Sequence, residues 1–298
     1  MPRRHDGRLI ARHKSDAQIM EQETVLITGG NSGIGKATAA LFAAKGHPVV
    51  ITARDAAKGQ AVVNEIIART GNRQVRAIQG DLSTIKSCRE LVEKITWEVP
   101  ALQVLINNAG VFMTEKVLNA DGFETNFMVN YLAPFILSTG LTGLLSANAH
   151  ARILTVNTGL HLQGHFDLAS TPYGLDFGHR ASYRNTKLAN ALFTVEMAQR
   201  VQPTGVTVNA FSPGLYNTTV LKVKGLEQVF FKYAGLVYEL FQPIGSSAHA
   251  PYYLATAPGL RQVTGAYFDQ KKPATFAAQA QDAALRKELW EKTLEWTH

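Results

Sequence analysis

The chain has 298 residues, 46% of them hydrophobic, with a formal net charge of +7 and one cysteine. That is enough apolar material for one large α/β domain, while the lack of an apolar run of roughly 18 residues and of a secretory leader argues against a membrane span or export. A lone cysteine, Cys88, forms no intrachain disulfide and suits a reducing, cytoplasmic setting.

In chain order, residues 1–22 read as a flexible basic tail, and five basic side chains fall within MPRRHDGRLIARHKSDAQIM. That clustering of basic side chains in the tail weakens the case for a basic groove on the fold, and no RNA- or DNA-binding motif accompanies it. From 23 to 298 the chain reads as a single domain without a repeat or linker. Strands are expected at TVLIT (24–28), PVVITA (48–53), QVRAIQ (74–79), LQVLIN (102–107), ARILTV (151–156), GVTVNAF (205–211) and GAYF (265–268). Helical patterns lie between them, among them GKATAALFAAK, AVVNEIIAR and the long FETNFMVNYLAPFILSTGLTGLL, which Pro134 is expected to kink. Continuous apolar strands with helical crossovers predict a doubly wound, mostly parallel seven-stranded sheet with helices on both faces. Ligands of such sheets bind beyond the C-terminal strand ends.

The first strand runs into Thr28-Gly29-Gly30-Asn31-Ser32-Gly33-Ile34-Gly35 and then a helix. Glycines in that setting let backbone N–H groups approach a pyrophosphate at the helix N-terminus, so a dinucleotide is the expected ligand. The second strand ends Thr52-Ala53-Arg54, with a guanidinium where an NAD-binding chain carries an acid, which favours NADP(H) over NAD(H). A plainer role for Arg54 is to stack on adenine or solvate its loop.

Asn107-Asn108-Ala109-Gly110 follows the fourth strand, Tyr183 and Lys187 stand four apart on a helical pattern, and Ser212-Pro213-Gly214 follows the sixth strand. With the glycine loop, this ordered set resembles the short-chain dehydrogenase/reductase family. The stretches TGGNSGIGKAT, FMVNYLAPF, KLANALF and GAYFDQKKP are similar to its retinol-dehydrogenase-like branch, which includes protochlorophyllide reductases. The resemblance covers the chain from about residue 23 onward and implies a Rossmann-type domain that moves hydride between a nicotinamide and a carbonyl or alcohol. It also implies that Asp81 and Leu82 border the adenine, that Asn107, Asn108, Ala109 and Gly110 line the cofactor, and that Asn130 supports a proton-relay water. Pro213, Gly214 and Thr218 fall at the nicotinamide end. Asp81 has the alternative of capping a helix at Ser83, and Asn130 that of satisfying a bend near Pro134.

A phenol titrates near 10, and a neighbouring cation lowers that by about 1 to 3 units, so Lys187 is expected to make Tyr183 an acid/base near working pH. By the resemblance Lys187 also binds the nicotinamide ribose and relays protons. Tyr267 and Lys271 repeat the spacing without the position. The family's serine after the fifth strand is replaced in Val156-Asn157-Thr158-Gly159-Leu160-His161, which puts Thr158 in its place. Threonine keeps the hydroxyl and adds a methyl. If Thr158 points away, Asn157 supplies an amide donor instead, or the chain binds cofactor without reducing anything. His161 and His165 suggest a lining of the substrate entrance rather than a metal site.

The segment 215–243, LYNTTVLKVKGLEQVFFKYAGLVYELFQP, falls where the family has a substrate lid. Its aromatic content suits a lipophilic carbonyl/alcohol substrate, and its lysines leave room for a peripheral membrane contact. Monomer and homodimer both remain open. The competing readings are a noncatalytic dinucleotide-binding regulatory protein and a non-redox enzyme on the same fold.

Overall fold

The computed structural model describes residues 22–214 and 244–297. The expected tail up to residue 21, the lid at 215–243 and Thr218 within it lie outside the described residues. Seven strands form where the apolar runs predict them: β1 (Val25–Ile27), β2 (Val49–Ala53), β3 (Val75–Gln79), β4 (Val104–Asn107), β5 (Arg152–Val156), β6 (Thr207–Ser212) and β7 (Tyr267–Asp269). They run parallel, and the sheet order is β3-β2-β1-β4-β5-β6-β7-β8.

The count of seven needs correction. An eighth strand, β8 (Lys272–Ala274), pairs antiparallel with β7. Gln270 turns the hairpin at a φ of 56°. Three exposed residues with a proline among them carry no alternation, and an edge is where proline is tolerated in a sheet.

Both faces of the sheet are covered, which is why its strands read as unbroken apolar runs. In β1, Val25 and Ile27 enter one core with Phe42, Val63 and Ile66, while Leu26 enters the other with Leu105, Ile153 and Leu188. Helices α1 (Gly33–Ala44), α2 (Ala56–Thr70) and α3 (Ile85–Glu98) follow β1, β2 and β3. Because β1 lies between β2 and β4, the winding reverses there, and the C-terminal ends of β1 and β4 open onto the cleft.

The long central helix is broken into α4 (Thr125–Phe127), a π-helical turn (Met128–Leu132), α5 (Ala133–Gly140) and α6 (Thr142–Ser146). The bend expected from Pro134 takes the form of that π turn. Proline has no N–H to offer the carbonyl of Asn130, four residues earlier. The Asn190 amide, from α7 (His179–Arg200), donates to that carbonyl at 2.7 Å instead.

Two later helices, α8 (His249–Thr256) and α9 (Ala283–Thr297), complete the layers. The ring of Trp290 on α9 lies 4.8 Å from that of Phe135 and 6.2 Å from that of Phe193, and Arg200 sits 4.6 Å over it. The hydroxyls of Tyr131 and Thr293 meet at 2.8 Å. Thus α9 covers the α5 and α7 face with aromatic packing. Among the described residues no helix is long and apolar enough to cross a membrane.

Candidate active site

The cleft begins with a bolt between two strand ends. The Thr28 hydroxyl accepts the N–H groups of Asn108 at 2.9 Å and Ala109 at 3.0 Å, and the Asn108 amide donates to the Thr28 carbonyl at 2.8 Å. Gly29 has a φ of 63°, and a Cβ there would stand 3.1 Å from Ala109 Cα. A Cβ at Gly35 would fall 2.5 Å from the Gly29 carbonyl oxygen and onto the Asn108 amide. These two positions therefore require glycine for the loop, helix and neighbouring turn to close together.

The amides of Gly29 and Gly30 are taken by Thr52. Those at the start of α1 are left uncapped: Ser32 makes no side-chain cap and the first turn holds no acid. The next helices differ, since Asp55 caps α2 and Thr84 with Ser87 forms a capping box on α3. The uncapped amides and dipole of α1, behind Asn31, Ser32, Gly33 and Ile34, suit an anion such as a pyrophosphate.

Arg54 is exposed at the end of β2. The adjacent carboxylate, Asp55, is engaged, accepting the Lys58 N–H at 3.1 Å and pairing with the Lys58 ammonium at 3.5 Å. Asp81 accepts the Ser83 N–H at 3.1 Å and its hydroxyl at 2.8 Å, so it shapes the turn after β3 while the helix itself is capped by Thr84. Leu82 packs onto the core. At the far side Pro213 is buried and Gly214 has a φ of 101°.

Tyr183 and Lys187 come together on the first half of α7. The Lys187 ammonium lies 5.7 Å from the Tyr183 ring centroid and donates to the Val156 carbonyl at 2.8 Å. It is also 4.0 Å from where a Cβ on Gly110 would be, which places the pair at the loop after β4. The expected lowering of the phenol is not what this arrangement produces. Burial pushes Tyr183 up to about 12 and Lys187 down to about 8. The ammonium sits against the ring and a carbonyl, and desolvation of the two buried groups sets the direction of both shifts.

Asn130 clamps the same loop. Its Oδ1 accepts the Val111 N–H at 2.8 Å, and its Nδ2 donates to the Val111 carbonyl at 2.9 Å and to Thr186 at 3.3 Å. Its carbonyl, held by Asn190, keeps a second lone pair.

Thr158 follows β5 half-buried, caps the short 3₁₀ turn Gly159–Gln163 by accepting the Leu160 N–H at 3.4 Å, and so keeps its hydroxyl proton to donate. Asn157 is only 2% exposed and turned inward: its oxygen accepts the Thr158 N–H and its amide donates to the Lys187 carbonyl at 3.1 Å. It ties β5 to α7 and is no substitute donor.

His161 does not line an entrance. It is completely buried, with Nδ1 2.7 Å from the Thr158 carbonyl and its ring 4.7 Å from that of Tyr267. His165 is exposed, and the described residues hold no group of three or more His, Cys, Asp or Glu placed for a metal. The second Tyr/Lys spacing is no pair either, since Lys271 lies over Tyr253, 5.7 Å from its ring centroid. Sequence reasoning missed Glu124, a fully buried carboxylate bonded to Ser182 beside Tyr183. The available signal was an acid between Phe123 and the helical pattern that leads to Asn130.

A family model described as short chain dehydrogenase matches residues 23–228. Retinol dehydrogenase 13 of Mus musculus is 35% identical over 272 residues, covering 90% of this chain and 81% of the relative. Among solved structures, an uncharacterized protein from Mycobacterium paratuberculosis is 27% identical with a TM-score of 0.72, covering 93% of each chain. A short chain dehydrogenase from Burkholderia cenocepacia J2315 in complex with NADP is 25% identical with a TM-score of 0.65, covering 85% of this chain and 98% of that one.

Proposed function

The chain belongs to the short-chain dehydrogenase family, and on that premise we propose that it is an NADP(H)-dependent oxidoreductase acting on a lipophilic carbonyl/alcohol pair. The observation that carries the reading is the meeting of Tyr183 and Lys187 beside Gly110, at the cleft end of the sheet.

The residues fit a nicotinamide dinucleotide. The glycine cradle at Gly29 and Gly35 and the uncapped start of α1 suit the pyrophosphate, Asn108 to Gly110 and Lys187 suit the nicotinamide half, and Arg54 suits a 2′-phosphate. When bound, the nicotinamide supplies or accepts the hydride. Thr158 donates a hydrogen bond to the substrate oxygen and keeps its own proton, while Tyr183 transfers the one proton that oxygen needs. A phenol held near 12 is protonated at neutral pH and so holds the proton that carbonyl reduction consumes. Lys187, with a value of about 8, still carries its charge there and stabilises the phenolate left behind.

Preference for NADP(H) is supported by Arg54, exposed beside an Asp55 that is engaged with Lys58, and the Burkholderia relative carries NADP. A lipophilic substrate is supported by exposed apolar side chains on the loops after β4 and β5, Val117, Leu118, Leu160, Leu162 and Leu175, and by Phe112, whose ring lies 5.1 Å from that of Tyr183. The mouse relative is by name a retinol dehydrogenase. A cytoplasmic enzyme that touches membranes peripherally belongs to the same proposal, and co-sedimentation with anionic vesicles tests it. A monomer is the favoured assembly, because α9 already covers the α5 and α7 face.

The decisive test follows NADPH and NADH consumption with aromatic and long-chain aldehydes and ketones, for the wild type and Tyr183→Phe. NADPH-dependent turnover that falls about a thousandfold without the phenol is expected. Turnover that survives the substitution removes the mechanism, and cofactor binding without any turnover points to the noncatalytic reading.

A further inference from the structure

Glu124 has no task in the reaction proposed above, yet it is completely buried six residues before Asn130 and holds four hydrogen bonds. Its Oε2 accepts the N–H of Asn126 at 2.9 Å, the N–H of Phe127 at 3.2 Å and the hydroxyl of Ser182 at 3.0 Å. Its Oε1 accepts from the Asn126 amide at 3.0 Å. Two arms lead from this carboxylate to the reacting region. Ser182 immediately precedes Tyr183 on α7. Asn126 in turn accepts the N–H of Met113 at 2.9 Å, and Met113 follows Phe112, whose ring lies 5.1 Å from that of Tyr183.

The polarity of this network is fixed at both ends by backbone donors that cannot reverse. The Met113 N–H obliges Asn126 to point its oxygen outward and hence its NH₂ toward residue 124. The Asn126 and Phe127 N–H groups meet the other side. Residue 124 thus faces donors at both ends of its head group and must be an acceptor at both. A glutamine has one oxygen, and its NH₂ would confront either the Asn126 amide or a cluster of backbone donors. Turning Asn126 over only moves the conflict to Met113.

We propose that Glu124 is a positioning residue that holds the Tyr183 phenol and the facing Phe112 ring in register, so that a substrate's oxygen and its apolar body are seated together. The proposal rests on Tyr183 being the proton donor. It predicts selective damage: loosening the network separates the phenol from the apolar wall, while the glycine cradle on the other side of the cleft shares none of these bonds.

The test uses the full chain with NADPH, an aromatic aldehyde and propanal, and compares the wild type, Glu124→Gln, Ser182→Ala, the double variant and Tyr183→Phe. For Glu124→Gln, kcat on the aromatic aldehyde is expected to fall about tenfold or more and kcat on propanal about threefold, because a small displacement of a reacting group is costly. The NADPH Kd, read from nicotinamide fluorescence, should stay within about twofold. Ser182→Ala should give a smaller loss, and the double variant should be no worse than Glu124→Gln, since both act along one chain of bonds. Wild-type kinetics in Glu124→Gln, losses that multiply in the double variant, or a parallel loss of NADPH affinity each overturn the proposal. Should Glu124→Gln not fold, Ser182→Ala decides: a kcat loss with unchanged Kd supports the proposal, and unchanged kcat overturns it. Tyr183→Phe separates the two levels, because full turnover without the phenol removes the catalytic reading and this proposal with it. An inactive Tyr183→Phe beside a normal Glu124→Gln removes this proposal alone.

Discussion

Beyond β1 and β2 the cleft is made of backbone: amides at the start of α1, two glycines that admit no Cβ, and a threonine hydroxyl that bolts β1 to β4. Beyond β4 and β5 it is made of side chains, with Tyr183, Lys187, Thr158 and Asn130 brought in from three separate stretches. A site built from backbone depends on what is missing from its residues and tolerates little. A site built from side chains depends on burial and partners, and its chemistry is set by whatever desolvation leaves over.

That contrast can be broken first on the side-chain half. Lys187→Met should lower kcat about a hundredfold or more, yet make the nucleotide-free protein more heat-stable at neutral pH. Burial holds the folded lysine near 8, below its ordinary 10.5. Between those values the unfolded chain binds a proton that the native one does not, so stability rises with pH there and the cost of the buried charge, present below about 8, disappears. The gain in unfolding free energy of the variant should accordingly be largest near pH 7, on the order of 3 kcal/mol at most, and vanish by about pH 10.5. Melting curves across that range check it, and a gain that persists at high pH speaks against a buried ammonium. Tyr183, shifted upward, works in the opposite sense only above about pH 10.

On the backbone half, Gly35→Ala should cost about 1–3 kcal/mol of stability and weaken NADPH binding on the order of thirtyfold, since the new methyl meets a carbonyl that cannot move aside. Titration of nicotinamide fluorescence and a denaturant melt would show both, and an alanine bound as tightly as the glycine contradicts the cradle. Arg54→Ala should lower NADPH affinity about tenfold and leave NADH affinity nearly unchanged, as fits the loss of one charge-assisted contact. Equal losses for the two nucleotides would assign Arg54 to the adenine instead. The smallest effect belongs to Thr158→Ser, which keeps the hydroxyl and removes the methyl. A rise in kcat of about two- to fivefold is expected from the freer rotamer, and a fall would mean that the methyl holds the hydroxyl in place.

The same division explains what the sequence made legible. The cradle was readable because its eight residues are contiguous and glycine spacing reports backbone geometry directly. The strands were readable because a sheet covered on both faces needs unbroken apolar runs. Lys187 and Tyr183 could be paired from helical spacing, but the sign of their mutual effect could not, because it turns on how deeply both are buried. His161 looked like half of a local pair with His165 until packing placed it under Thr158. Glu124 finds Ser182 58 residues away along the chain, a distance at which no local pattern speaks. The strand β8 was too short and too exposed to leave a trace.

Helix α9 carries a consequence for biosynthesis. Trp290 and Leu289 belong to the same core as Leu26 of the first strand, so the layer over α5 and α7 cannot be finished until Ala283–Thr297 has emerged from the ribosome. Until then the nascent chain displays Phe135 and Phe193 to the solvent, a period in which chaperones and unwanted self-association compete for that surface.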